Sequence, residues 1–226
     1  MDQEKRIAGA QIQSYLLEKS RVGYQQQGER NYHIFYQLCK SDWANHYNLG
    51  GPEYYGYLAN AGCTDVPGMD DYREFQDVVQ SMDSLGFTTE EKHSVFSIIS
   101  GIIQLGNVTF TEASMRGADG NMGDGSTIDD PNSSLAVASQ FGVDATMLAD
   151  ALTHRTLEII GQAPISVPLR VDQAIENRDA LAKYVYEKLF NWLVGRINTS
   201  LAPKCTQSNF IGILDIFGFE IFQQNR

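Results

Sequence analysis

The chain has 226 residues, of which 42% are hydrophobic and 20% charged, a globular composition long enough for a sizeable core. Its net charge of −11 leaves no basic stripe to displace counterions from phosphates, which excludes a nucleic-acid binder and disfavours anionic membrane surfaces. No apolar stretch approaches a transmembrane segment, and Met1–Arg6 lacks the apolar centre of a secretory signal. Cys39, Cys63 and Cys205 fit no metal spacing and are expected to be reduced thiols of a cytosolic protein.

In chain order, residues 8–17 read as a strand, followed by the charged run Glu18–Arg21 and a polar turn at Gln25–Gly28. Glu29–Lys40 predicts a compact helix whose apolar face combines Tyr32, Phe35, Tyr36 and Cys39. Residues 41–68, rich in Gly, Asn, Tyr and Asp, read as irregular. Asp70 or Asp71 caps a helix carrying Tyr72, Phe75, Val79, Met82 and Leu85, closed by Gly86. Thr88 to Glu91 has the spacing of a capping box, and opens a helix with Val95, Ile98, Ile99, Ile102 and Leu105 inward and Gly106 at its end.

Asn107–Phe110 suggests a short strand. Residues 113–132, with their glycines and aspartates, read as a solvated loop. Asp119, Asn121 and Asp130 lie near the spacing of a calcium loop, but Asp124 stands where such a loop needs glycine. Helices are expected at about 133–141 and 144–153, the second capped by Asp144. Residues 156–170 read as another exposed loop, one that displays Ile159, Ile160, Ile165, Val167 and Leu169. An amphipathic helix then runs from Val171 to Leu201 with the stripe Leu181, Tyr184, Val185, Leu189, Trp192, Leu193 and Ile197. His33, His46, His93 and His154 have no ligand spacing.

The segment Phe210–Arg226 is the most informative. An apolar strand, Phe210–Leu214, delivers Asp215 at its end, and Gly218 follows three residues later. A carboxylate placed so can hold a Mg²⁺-bound water, and a glycine lets its N–H approach a terminal phosphate. Glu220 is then a carboxylate in need of a cationic partner. The 226 residues contain no Gly-x-x-x-x-Gly-Lys-Ser/Thr phosphate loop, so this half-site is expected to belong to something larger. The chain reads as one mostly helical unit whose few strands need partners from outside it.

Six further segments, in order, carry a family resemblance: Tyr15–Val22, Gly28–Leu38, Gly86-Phe-Thr88, Leu105-Gly-Asn-Val108, Arg178-Asp-Ala-Leu-Ala-Lys183 and Leu189–Val194. With Leu214-Asp-Ile-Phe-Gly-Phe-Glu220, which resembles a switch II, they make the chain similar to the myosin motor domain from about Ile7 onward. The resemblance implies an α/β, mostly helical fold: a partial P-loop NTPase-type motor domain, residues 1–226, with a few strands of the central sheet, running from after switch I to the start of the relay helix. It implies ATP and Mg²⁺ as cofactors of the intact motor, with Asp215 organising the Mg²⁺ shell through water, Gly218 sensing the γ-phosphate and Glu220 closing the site with an arginine absent from these residues. It implies an actin filament, the rest of the motor domain and calmodulin-like light chains as partners, and a cytoplasmic, cytoskeletal location.

Residues 156–170 resemble an actin-facing loop of that family, which makes Ile159, Ile160, Ile165, Ser166 and Val167 candidate contacts. Residues 113–130 resemble its neighbour near the filament. Ala163 stands where the family often has an acidic or phosphorylatable residue. Pro168-Leu, Gln173-Ala and the Arg178–Lys183 segment look like the short-tailed, single-headed myosins. The expected function is part of an actin-based, ATP-driven motor; the alternative is a non-catalytic actin-binding or regulatory module.

Overall fold

A computed structural model describes residues 7–116, 122–158, 161, 163–203 and 209–215. At its centre is helix α4 (Thr89–Leu105), which buries Val95, Phe96, Ile99, Ile102, Ile103 and Leu105. A helix apolar on more than one face must be surrounded. Around α4 pack α1 (His33–Cys39), α5 (Pro131–Phe141) and the long α7 (Val171–Leu201), and α3 (Asp71–Ser84) packs against α1. The short α2 (Gly56–Ala59) and α6 (Ala145–Thr153) complete the helices. No helix among the described residues is long and apolar enough to cross a membrane.

Local chemistry sets the starts of α3, α4 and α6 as the sequence suggests, whereas α1 begins at His33 rather than Glu29 and α5 at Pro131, capped by Asp130. Asp70 accepts the Arg73 N–H at 3.1 Å, and Asp144 accepts that of Met147 at 2.9 Å. At α4 the capping box closes both ways: Thr88 Oγ1 accepts from Glu91 N at 3.1 Å, and Glu91 Oε2 from Thr88 N at 2.8 Å. Each cap satisfies a backbone donor that has no intrahelical acceptor. Gly86, with φ of +73°, supplies the left-handed turn between α3 and α4.

Several expectations are corrected, among them the short strand expected at Asn107–Phe110, since the strand observed starts only at Phe110. Residues 8–17 form no strand: the segment lies along the end of α7, where Ala10 N donates to Leu201 O at 3.0 Å and the Asn198 side chain bonds both Ile12 N and Ile12 O. Residues 113–132 are not simply a loop, because β1 (Phe110–Arg116) pairs antiparallel with β2 (Met122–Ile128), Phe110 opposite Ile128. The presumed loop 156–170 contains a second hairpin, β3 (His154–Leu157) with β4 (Ile165–Pro168). Its Leu169 is buried rather than displayed. In both hairpins ladder bonds and tertiary packing override weak strand propensity.

A further correction is the strand expected at Phe210–Leu214. No secondary structure forms over residues 209–215, and Phe210, Ile211, Ile213 and Leu214 are 90%, 77%, 93% and 71% exposed. Phe210–Leu214 pairs with no strand among the described residues, and a strand needs a neighbour for its N–H and C=O groups. The sheets among the described residues are two local antiparallel hairpins. Helix α7 has the expected bounds, but Tyr184 and Trp192 face solvent while Ala174, Ala182 and Tyr186 are buried.

Candidate functional site

The β3–β4 hairpin is held at its base by backbone and side chain together. Leu169 N donates to Thr153 O at 2.8 Å, and the buried Ser126 hydroxyl of β2 donates to Leu169 O at 2.8 Å. His154, opposite Pro168 in the ladder, places Nδ1 3.0 Å from Thr153 Oγ1 and 3.1 Å from Asp150. On α7, Asn177 Nδ2 donates to Ala151 O at 2.7 Å, satisfying a carbonyl at the end of α6. The hairpin therefore projects from a rigid corner of α6, α7 and β2.

Alternation along β4 separates the candidate contacts. Ile165 and Val167 share one face and are half-buried, whereas Ser166 lies on the other and is exposed. Across the ladder they oppose Leu157, Arg155 and Thr156 respectively, and Leu157 is 39% exposed. Among the described residues of the hairpin, the apolar surface on β4 is thus only partly open. Ile159 and Ile160 lie outside the described residues, as do Gly218 and Glu220.

Behind the hairpin, residues of the quoted segments prove to be a framework. Asp179 accepts the Tyr57 hydroxyl at 2.5 Å and the Arg178 Nε–H at 2.9 Å, and Arg178 Nη1 donates to Val108 O at 2.9 Å. Burial first, then the Asp179 hydrogen bond, pushes the Tyr57 phenol well above its ordinary value, so it stays a donor. Asn107 accepts from Gly56 N at 2.8 Å and donates to Tyr54 O at 2.7 Å. Buried Asn31 donates to the Val22 and Tyr57 carbonyls, both at 2.9 Å, while its Oδ1 accepts from Tyr32 N at 2.8 Å. Arg196 ties α7 to the α3–α4 turn through Glu91 at 2.8 Å and Gly86 O at 2.6 Å.

Sequence reasoning missed one buried charge cluster. Arg30 Nη2 reaches both oxygens of Asp71, at 3.0 and 2.8 Å, and its guanidinium lies 3.9 Å from the centre of the Tyr36 ring. Lys40 Nζ adds a second cation to Asp71 at 2.9 Å. The side chains of Arg30 and Asp71 are only 4% and 2% exposed. The signal available was Arg30 inside a helix-opening segment, but nothing local connects it to an acid 41 residues away.

Asp215, the described member of the nucleotide-facing set, is exposed at the end of an unpaired segment. No group of three or more His, Cys, Asp or Glu side chains among the described residues could hold a metal ion. The described residues therefore do not fit a Mg²⁺–nucleotide site by themselves: one open carboxylate has neither a second ligand nor a phosphate cradle beside it.

The sequence matches the family Myosin head (motor domain) over residues 1–226. It is 43% identical over 224 residues to "Myosin-1" of Mycosarcoma maydis, covering 96% of this chain and 17% of that protein. "Myosin IB heavy chain" of Dictyostelium discoideum is 40% identical over 228 residues (96% and 20%), and "Myosin IE heavy chain" of the same organism is 42% identical over 227 residues (96% and 22%). The chain thus spans about a fifth of the length of these relatives. Their class I names agree with the class I-like character of the sequence.

Proposed function

Because the chain belongs to the myosin head (motor domain) family, we propose that it supplies the upper actin-binding part of an actin-based, ATP-driven cytoskeletal motor, from beyond switch I to the start of the relay helix. The observation that carries this reading is the family match across all 226 residues, with relatives about 40% identical along nearly the whole chain. The framework supports it, since the bonds of Asn31, Asn107, Arg178 and Asp179 account for motif residues that do no chemistry themselves.

In this reading the β3–β4 hairpin and its tip, with Ile159, Ile160, Ile165, Ser166 and Val167, face the actin filament. Half-burial of Ile165 and Val167 restricts these two side chains before docking, so less side-chain entropy is lost. Ser166 and Leu157 offer the open polar and apolar contacts. With Ala163 in place of a charge, docking here does not depend on a negative group at that position.

Asp215, Gly218 and Glu220 form the nucleotide-responsive set: Asp215 toward the water shell of Mg²⁺, the Gly218 N–H toward the γ-phosphate, and Glu220 toward a switch I arginine. These roles require groups that the described residues do not supply, so no catalytic step is assigned to this chain alone. The rest of the motor domain and calmodulin-like light chains would be its partners in a cytoplasmic, cytoskeletal assembly.

The direct test is a chimera in which these 226 residues replace the matching segment of the Dictyostelium myosin IB heavy chain. Actin-stimulated ATPase activity is expected, and Gly218→Ala should abolish it. Unchanged turnover in that variant would sink the switch assignment. The alternative reading is a non-catalytic actin-binding module. It predicts that the chain alone co-sediments with actin filaments equally with and without ATP.

A further inference from the structure

Between α3 and the turn that follows α1 is a cleft of about 240 Å³. One wall is a stripe of α3 bearing Tyr72, Phe75, Gln76 and Gln80, which the 3.6-residue repeat aligns; the other is the turn Asp42–Trp43. Trp43 is held firmly. Its ring stacks on His93 at 4.9 Å and meets the edges of Phe75 at 5.8 Å and Phe96 at 5.4 Å.

Asp42 sets the charge of this cleft. It accepts the Tyr72 hydroxyl through Oδ2 at 2.7 Å, and no lysine or arginine pairs with it among the described residues. The other carboxylate lining the cleft, Asp83, is already paired with Lys92 of this chain, whose aliphatic stem is buried.

We propose that the cleft is a binding site for a lysine side chain of a basic peptide segment. Three features select this chemistry. The aromatic wall of Trp43 and Tyr72 attracts a cation, and the same rings offer apolar surface to a methylene stem. With Oδ2 engaged by Tyr72, Asp42 presents one free oxygen, which suits a point-like ammonium better than the two-pronged guanidinium of arginine. The amide oxygens of Gln76 and Gln80 offer acceptors to the remaining ammonium protons. The net charge of −11 draws a basic segment toward this surface. The site is independent of the motor reading and of the hairpin.

The test follows the Trp43 indole N–H by NMR in the full 226-residue chain carrying Trp192→Phe, which leaves a single indole. Acetyl-Gly-Lys-Gly-amide, at constant ionic strength, should shift that signal saturably. The norleucine peptide should bind at least about fivefold more weakly, and Asp42→Asn should cost the lysine peptide a similar factor. The arginine peptide should bind more weakly than the lysine peptide, and Tyr72→Phe, which frees the second Asp42 oxygen, should remove that preference. Equal binding of the norleucine peptide, or no effect of Asp42→Asn in a variant with unchanged circular dichroism, would overturn the proposal. Equal affinity for n-butylammonium would overturn the assignment to a peptide.

Discussion

At the residue scale, the energetics are dominated by a few groups that cannot be left unpaired. Removing Asp71 strands the buried Arg30 guanidinium and takes a partner from Lys40. Asp71→Ala is expected to destabilise the chain by about 3–5 kcal/mol. Asp65, bound to the same lysine but 80% exposed, should cost less than about 1 kcal/mol on the same change. Urea unfolding of the two variants checks this, and similar losses would contradict the role given to burial. Gly106 makes the complementary case: a Cβ there would come within 2.7 Å of the Tyr57 ring, whose hydroxyl is anchored on Asp179. Gly106→Ala should therefore cost about 1–3 kcal/mol by overpacking, read as a lower urea midpoint. The sequence flags Gly106 as a helix end. Its second duty is invisible there, because Tyr57 arrives from 49 residues away.

At the element scale, helix starts were legible because a cap is a contract between residues three apart. Asp70, Thr88, Glu91 and Asp144 act as their spacing suggests. Glu91 also reaches outside its own helix to Arg196. That contact first, and the Thr88 N–H second, hold its carboxyl below the ordinary value of 4.5. A depressed folded value means that the stabilisation is present above pH 4.5 and lost as pH falls through the folded value. Glu91→Gln should therefore flatten the stability–pH curve below pH 4.5 and lower it above. An unchanged acid limb would show that the pair adds nothing. The hairpins were not legible. Residues 113–128 have the composition of a loop, and what makes them a ladder is the pairing of β1 with β2, closed by Phe110 and Ile128 and fixed to Leu169 through Ser126. Residues 8–17 and 210–214 show the converse, since strand-like sequences that meet no strand among the described residues form no ladder.

At the scale of the whole molecule, the helices enclose one continuous core, and its opening can be followed chemically. Burial, with a smaller contribution from Glu53, pushes the Cys39 thiol up to about 12, whereas Cys63 is half-exposed. Under native conditions iodoacetamide should label Cys63 readily and Cys39 only in urea concentrations that unfold the core, as peptide mass spectrometry can show; native labelling of Cys39 would mean that α1 opens locally. The same chain is expected to show no saturable binding of a fluorescent ATP analogue, and saturable binding would mean that other residues supply a phosphate cradle. By itself the sequence determined what depends on neighbours along the chain: helix periods, caps, the left-handed turn at Gly86 and the ordered segments that mark a myosin head. Only the tertiary structure decided what depends on partners distant in sequence: the Arg30–Asp71 pair, the Tyr57–Asp179–Arg178 lock and the two hairpins. The division follows from range. Dihedral preferences and capping bonds act within a few residues, whereas strand pairing and buried charge need a second segment that composition does not name.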